Sequence, residues 1–373
     1  MDLKTYFEAG QEHFGLVLRE LIYKTHPEVF EQLDFYNNDH FSDPLLFGYF
    51  NNLEGMSIEQ ILEFYLKEKS TPIITDAYGA AFLPHIGYFV TDHKETPVQR
   101  DEARFVKPLL LEEHNNIEVC LYSNPYYNFF LEENGATKES PCIRNIPHAT
   151  LKYVPYIKEA FELIKRFCPQ EYAMYTQSTR RIILYENPDI RSFVTRQVHG
   201  TIFVSVNSNS NTPFFVEELI HQCSHNVFNA IIADVKEFLK IPPTTPLAKL
   251  IGENEKLEIR DIFGAFHGVY TVSTGVNSIL PMVLSNTLDE TMHFELMGRL
   301  AIKKPRFRSG IQRVNFEEVY TEKGAELYHH LDARCFEQMQ QYPDIFDVFS
   351  FSNQGSVFSY SRFLEQNNPK QLS

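Results

Sequence analysis

A chain of 373 residues that is 43% hydrophobic and 22% charged has the composition of an ordinary folded protein, long enough for one large core or two smaller ones. A formal net charge of −15 argues against general nucleic-acid binding, which needs a basic surface, and no run of 18 apolar residues is present to span a membrane. The five cysteines (Cys120, Cys142, Cys168, Cys223 and Cys335) are scattered without a C-x-x-C pair, and the N-terminal MDLKTYFEAGQEHF has no apolar stretch of a secretory signal, so a cytoplasmic protein is expected.

Residues 1 to about 70 predict helices with short breaks. Leu16, Leu18, Leu21 and Ile22 recur at helical spacing, and the run from Met56 to Lys69 opens with a Ser57/Gln60 capping box ahead of Ile61, Leu62, Phe64 and Tyr65. Asp34 to Asn52 reads as loop. Prolines and glycines interrupt residues 71–150, where Ile117–Tyr122 and Gly87–Thr91 are strand candidates. The aromatic segment Ser123–Thr137 reads as buried packing before a peptide surface. A helix is expected over Tyr153–Phe167, just after His148. From Arg180 the pattern turns to strand: first RRIILYENP, then Val198–Asn207, opened by Gly200. Ser208–Thr212 is a polar turn, and Pro213 stands where the first turn of a helix tolerates it. Beyond Pro242, Pro243 and Pro246, one or two helices are expected through about Ser285, then helices over Leu288–Ile302 and Glu317–Gln341 and a loose polar tail from Phe349. These elements predict an α+β fold, mostly helical: an N-terminal helical and irregular region (1–150), a metal-site domain (151–348) with a zincin-like strand–turn–metal-helix core, and a tail (349–373).

The stretch FFVEELIHQCSHNVFNA, Phe214–Ala230, carries the chemistry. His221 and His225 stand four apart, so on a helix both imidazoles reach one point over one face. That is the H-x-x-x-H frame of a zinc-protease helix, except that Gln222 replaces the Glu that serves there as general base. A Gln cannot take a proton from water, which counts against hydrolysis by the standard route and leaves metal binding intact. Fe(II) with open positions does not need that base. Glu217 and Glu218 precede His221 by four and three residues, neither at the usual base position. Downstream, Arg260, Gly264 and His267 fall at offsets of four and three, on one face of a second expected helix. His267 is then a candidate third ligand and Arg260 a candidate bidentate anchor for an anionic co-substrate. The same residues also read as an Arg260 paired with Glu258 or Asp261 and a core histidine. Because two His and one carboxylate is the commoner iron set, Glu290 and Glu295 stay open as third ligands, with His293 as a neutral one.

Three blocks together resemble a known family. Ser192–Val204 (SF-x5-HGTIFV), Glu217–Ile231 (EELIHQCSHNVFNAI) and Arg260–Tyr270 (RDIFGAFHGVY) are similar, in order and spacing, to the 2-oxoglutarate-dependent HExxH-type peptide β-hydroxylases of ribosomal-peptide gene clusters. The likeness covers roughly residues 180–310, and Gln222 is its one departure in the metal helix. The resemblance implies Fe(II) with 2-oxoglutarate as co-substrate and O2 as oxidant, and hydroxylation of a residue's β-carbon in a peptide substrate, with or without a leader segment. It implies His221, His225 and His267 as metal ligands, Arg260 on the 2-oxoglutarate carboxylate, and Gln222 beside the metal rather than on it. The Val198–Asn207 strand would take the peptide by strand addition. Two other readings use the same residues: a degenerate gluzincin-type peptidase with Zn on His221, His225 and a downstream Glu, or a non-catalytic peptide-binding descendant.

Overall fold

The computed structural model describes the whole chain except residues 68–71, 138–140, 255, 257, 286, 308, 309, 356 and 369–373. The fold is mixed α+β and mostly helical. It divides into two compact units, each built from separated stretches: Glu8–Lys158 with Met174–Asn211, and Met1–Phe7 with Glu159–Ala173 and Thr212–Ser373. The division therefore does not fall at residues 150 and 348. Helices carry the chain through three of the four boundaries, at residues 7/8, 158/159 and 173/174.

The first unit holds every strand among the described residues. Helix α1 (Leu3–Thr25) turns Leu18 and Ile22 into its core. The capping box forms as expected: Ser57 N donates to Gln60 Oε1 at 3.0 Å and Gln60 N to Ser57 Oγ at 3.3 Å. The helix it starts is short, Ile58–Leu62, and tightens into a 3-10 turn over Glu63–Tyr65; the expected end at Lys69 lies outside the described residues. Helix α2 (Pro44–Phe50) precedes that helix, inside the Asp34–Asn52 stretch expected as loop, and is started by Asp43, whose side chain accepts from Leu45 N. The strands form three small sheets. β1 (Ile73–Ile74) pairs with β4 (Pro97–Val98), and β3 (Gly87–Val90) lies between β2 (Ala80–Leu83) and β5 (Arg104–Val106). The third sheet runs β6 (Leu110–Leu111), β7 (Ile117–Val119), β8 (Arg181–Tyr185), β9 (Thr201–Ser205), with β7, β8 and β9 parallel. Most of these strands span two to four residues, too short to show a period of two.

Strand β8 is buried throughout, so the charge of Arg181 needs partners. Its guanidinium grips Asp43, the N-cap of α2, at 2.8 and 2.6 Å, and reaches Glu118 of β7 at 3.2 Å. The outer edge of β9 is filled by the chain itself. Phe203 exchanges both backbone hydrogen bonds with Phe193 at 2.9 and 3.0 Å, and Ser205 N donates to Ser192 Oγ at 3.0 Å. The strand addition expected on Val198–Asn207 would have to displace that pairing. Helix α3 (Pro125–Glu133) buries Tyr126, Tyr127, Phe130 and Leu131, so the aromatic segment is core. Helix α4 (Ile146–Phe167) begins seven residues before the expected Tyr153 and takes in His148; α5 (Pro169–Ser178) follows it.

The second unit is built on α6 (Thr212–Ile231) and α7 (Ile262–Leu284). Phe228 of α6 packs on Phe266 and Tyr270 of α7, with ring centroids 5.2 and 4.9 Å apart. The segment expected as one or two helices is one, started by Asp261, whose side chain accepts from Gly264 N at 2.7 Å. Helix α8 (Glu290–Ala301), the single turn α9 (Lys303–Arg306) and α10 (Glu322–Gln341) complete the core. The tail is not loose. It forms α11 (Tyr360–Gln366), and Phe349, Phe351, Phe358 and Phe363 cluster with Phe294. Its polar composition concealed a few well-spaced aromatics, and side-chain-free Gly298 leaves room for Phe363. All five cysteines are buried thiols outside any disulfide, and no described helix is long and apolar enough to cross a membrane.

Candidate metal centre

Helix α6 is apolar enough to be buried almost all round. Of its 20 residues only Phe214, Glu217, Glu218, His221 and His225 are not buried. Those five fall at steps of three, one, three and four, a single stripe along one face. On the first three turns of α7 the residues left partly open are Phe263, Gly264, His267, Gly268 and Val272, again a stripe. The two stripes meet at the histidines.

His221 and His225 face each other through their Nε2 atoms, 3.1 Å apart. Two ligands on a metal with bonds of ~2.1 Å lie ~3.0 Å apart at a right angle and ~3.4 Å at a tetrahedral one. The pair is therefore already spaced as neighbouring ligands. Burial holds both rings neutral, as a ligand must be. His221 is pushed down to about 4 by burial and then by the cation of Lys303, against the opposing pull of Glu217. His225 is held well below the usual range by burial and then by the two neighbouring rings.

His267 comes to the same cluster from α7, at the other side of His225. Its ring nitrogens lie 2.9 and 3.1 Å from His225 Nδ1, and its Nε2 is 3.3 Å from the His225 carbonyl oxygen. It stacks on Phe228 at 4.9 Å and 24°. His225 thus turns one nitrogen to His221 and the opposite one to His267. Among the described residues no three His, Cys, Asp or Glu side chains converge on one point.

Gln222 is buried. Its Nε2 donates to Glu218 Oε2 at 3.2 Å, and its Oε1 has no hydrogen-bond partner. A buried acceptor without a donor marks a place where a further group, a water or a ligand N–H, belongs. The neutral nitrogen pair alone is spaced as two neighbouring ligands of a metal would be.

Glu217, one turn before His221, is committed elsewhere. Arg299 Nη1 of α8 reaches it at 2.8 Å and Lys303 Nζ of α9 at 3.0 Å. Burial would raise this carboxyl, but Lys303 and Arg299 override it and hold it down to about 2. It is an anion that fixes the histidine turn, not a base. Arg299 also grips Glu295 at 2.9 and 2.7 Å, and the stem of Lys303 lies against Gly275, where a Cβ would sit 2.7 Å from its Cε. The other proposed third ligands are engaged or distant in role: Glu295 in that ion cluster, His293 on the Val283 carbonyl at 2.9 Å, and Glu290 exposed in the first turn of α8.

Arg260 does not stand on α7, which begins at Ile262 behind the Asp261 cap, so it cannot share a helical face with His267 by periodicity. Its side chain nevertheless folds along that face, with Nη1 3.8 Å from where a Gly268 Cβ would be. Its Nε and Nη2 are both taken by Glu258, the former at 2.8 Å. The ion pair read from the sequence as the simpler alternative is formed.

No protein-family model matches the chain, and no curated protein matches it. The site is therefore read from its own geometry. Sequence reasoning named the histidines and weighed Glu217 and Glu218 only as bases, and it did not find the Arg299–Lys303 clamp. The clamp lies 82 and 86 residues away from Glu217 and has no local signature.

Proposed function

We propose that the chain is an Fe(II)- and 2-oxoglutarate-dependent oxygenase that hydroxylates the β-carbon of a residue in a ribosomally made peptide. The observation that carries the proposal is the His221/His225 pair, two neutral nitrogens 3.1 Å apart on the partly exposed stripe of a buried helix, with Gln222 where a hydrolase keeps its base. A site with ligands and no adjacent base suits a metal whose work is oxidation rather than activation of water for hydrolysis. His221 and His225 would hold the iron, which when bound supplies the reaction of O2 with 2-oxoglutarate, releasing succinate and CO2 as the peptide gains one oxygen. Arg260 would take the far carboxylate of 2-oxoglutarate, sharing or exchanging the bidentate contact it makes with Glu258. Glu217, gripped by Arg299 and Lys303, keeps the turn that bears His221 in place. The peptide substrate rests on the resemblance of the blocks at 192–204, 217–231 and 260–270.

Anaerobic addition of Fe(II) and then 2-oxoglutarate tests this reading. A weak metal-to-ligand band in the visible is expected from the native protein and none from His221→Ala. Tight zinc uptake with no such band would replace the proposal with a degenerate zinc site.

A further inference from the structure

We infer that His267 is a positioning residue for His225 and not a third metal ligand, and that it decides which nitrogen of the His225 ring is left for the metal. This role rests on the metal reading above and departs from the three-histidine set that the resemblance implies. His225 turns its two ring nitrogens to different neighbours. Its Nε2 lies 3.1 Å from His221 Nε2, and its Nδ1 lies 3.1 and 2.9 Å from the two nitrogens of His267. The nitrogens of an imidazole point to opposite sides of the ring, so a metal shared by His221 and His225 has His267 behind the His225 ring. A third ligand would stand on the Nε2 side, and among the described residues no three His, Cys, Asp or Glu side chains converge on one point. Two rings hold His267 in its place. It stacks on Phe228, three residues beyond His225 on the same helix, with centroids 4.9 Å apart at 24°, and Phe263, one turn before it on α7, lies 5.6 Å from it.

The hydrogen-bond partners assign the protons. His267 Nε2 is 3.3 Å from the His225 backbone carbonyl oxygen, which can only accept, so Nε2 carries the one proton of a neutral His267 ring. His267 Nδ1 is then a bare acceptor 3.1 Å from His225 Nδ1, and the proton between them belongs to His225. With its own single proton spent there, neutral His225 presents an unprotonated Nε2 to His221. That is the atom and the state a metal requires, and a ligating histidine generally gives its other N–H to a fixed acceptor, which sets its tautomer and orientation. Without metal, His221 Nε2 donates to the same lone pair. Metal uptake then needs that one proton to leave or to move to His221 Nδ1, and His225 changes nothing.

Proton–nitrogen NMR of the histidine rings, with Co(II) titration of the same proteins read by affinity and visible spectrum, tests this role. The metal-free native protein should show His225 protonated on Nδ1 alone. His267→Phe keeps an aromatic ring against Phe228 and removes the acceptor. It should mix the His225 tautomers and weaken Co(II) by ~10–100-fold, as loss of a partner behind a ligand does, with the Co(II) band positions unchanged. His267→Gln supplies both an amide oxygen and an N–H, and should restore the Nδ1 tautomer and most of the affinity, whereas a ring needed only for packing would be served better by Phe. His225 protonated on Nε2 in the native protein would overturn the role, and Co(II) bands displaced in both variants would replace it with three histidine ligands; either result leaves the oxygenase reading standing. A native protein that takes up no Co(II) would overturn both.

Discussion

Replacing Glu217 with Gln removes the anion from a site that two cations share. The Glu217 side chain is 12% exposed, and Lys303 Nζ and Arg299 Nη1 lie 3.0 and 2.8 Å from its oxygens. Its carboxyl is held down from 4.5 to about 2, which corresponds to about 3 kcal/mol at about 1.4 kcal/mol per unit. Breaking a buried ion pair from one side costs about 3–5 kcal/mol by a separate route, because the partner is left charged and dry. Arg299 keeps Glu295, so the loss falls mainly on Lys303, whose side chain is 8% exposed. Glu217→Gln should therefore destabilise the protein by about 3 kcal/mol at pH 7. The folded carboxyl titrates below the unfolded one, so its contribution is complete above pH ~4.5 and is lost as pH falls from there toward ~2. Burial of neutral His225 destabilises native protein and variant alike in acid and cancels in the difference, whereas His221 loses the opposing pull of Glu217 in the variant, an effect that enters only as pH falls toward its own titration at about 4. Urea unfolding of both proteins at pH 7, 5, 4 and 3 measures the gap. It should be level from pH 7 to 5 and narrow below. A cost under about 1 kcal/mol at pH 7, or a gap as wide at pH 3 as at pH 7, would refute the clamp. The double variant Glu217→Leu with Lys303→Met should recover much of the loss, since an apolar pair of similar size replaces a buried ion pair at little cost.

Arg181→Met leaves Asp43 and Glu118 buried without their cation and should cost about 3–5 kcal/mol at pH 7, measured by urea unfolding; a loss below about 1 kcal/mol would mean that the network is not structural. Gly324→Ala places a Cβ 2.0 Å from the Phe238 carbonyl oxygen, a backbone atom that cannot turn aside, and should lower stability by about 1–3 kcal/mol or more in thermal unfolding. If Arg260 anchors the co-substrate, Arg260→Ala should weaken 2-oxoglutarate by about 10–100-fold in the visible-band titration, the worth of a charge-assisted contact, with Fe(II) uptake unchanged. Unchanged 2-oxoglutarate affinity would confine Arg260 to its pair with Glu258.

What was legible in the sequence follows the range of the interactions involved. The His221/His225 spacing, the apolar residues around it and the Ser57/Gln60 box are local, and all three emerge in the structure as helical features. The start of α7 was equally local but misread. Asp261 with Gly264 three residues on is an N-cap in plain view, and it puts Arg260 outside the helix. The strands of two to four residues between Ile73 and Leu111 are held by partners, not by any pattern of their own. The C-terminal aromatics look isolated in a polar stretch because their neighbours, Phe294 and Gly298, lie on another helix.

Whether this helix supports hydrolysis or oxidation turns on where its carboxylates stand. A hydrolase needs one beside the first histidine, unligated and free to take a proton. Here that position is an amide whose Nε2 donates to Glu218 and whose Oε1 is buried without a donor. The two carboxylates have moved one turn toward the N-terminus. Glu217 is neutralised against Arg299 and Lys303, where it cannot accept a proton near neutral pH. Glu218 remains on the open stripe with the histidines. With its acids one turn toward the N-terminus and an amide at position 222, the helix keeps the nitrogen pair and has no base beside His221. A single Gln222→Glu change should therefore not create a peptidase. It would set a second carboxylate against Glu218 one turn away, and no gain of peptide cleavage over the native protein is the expected outcome.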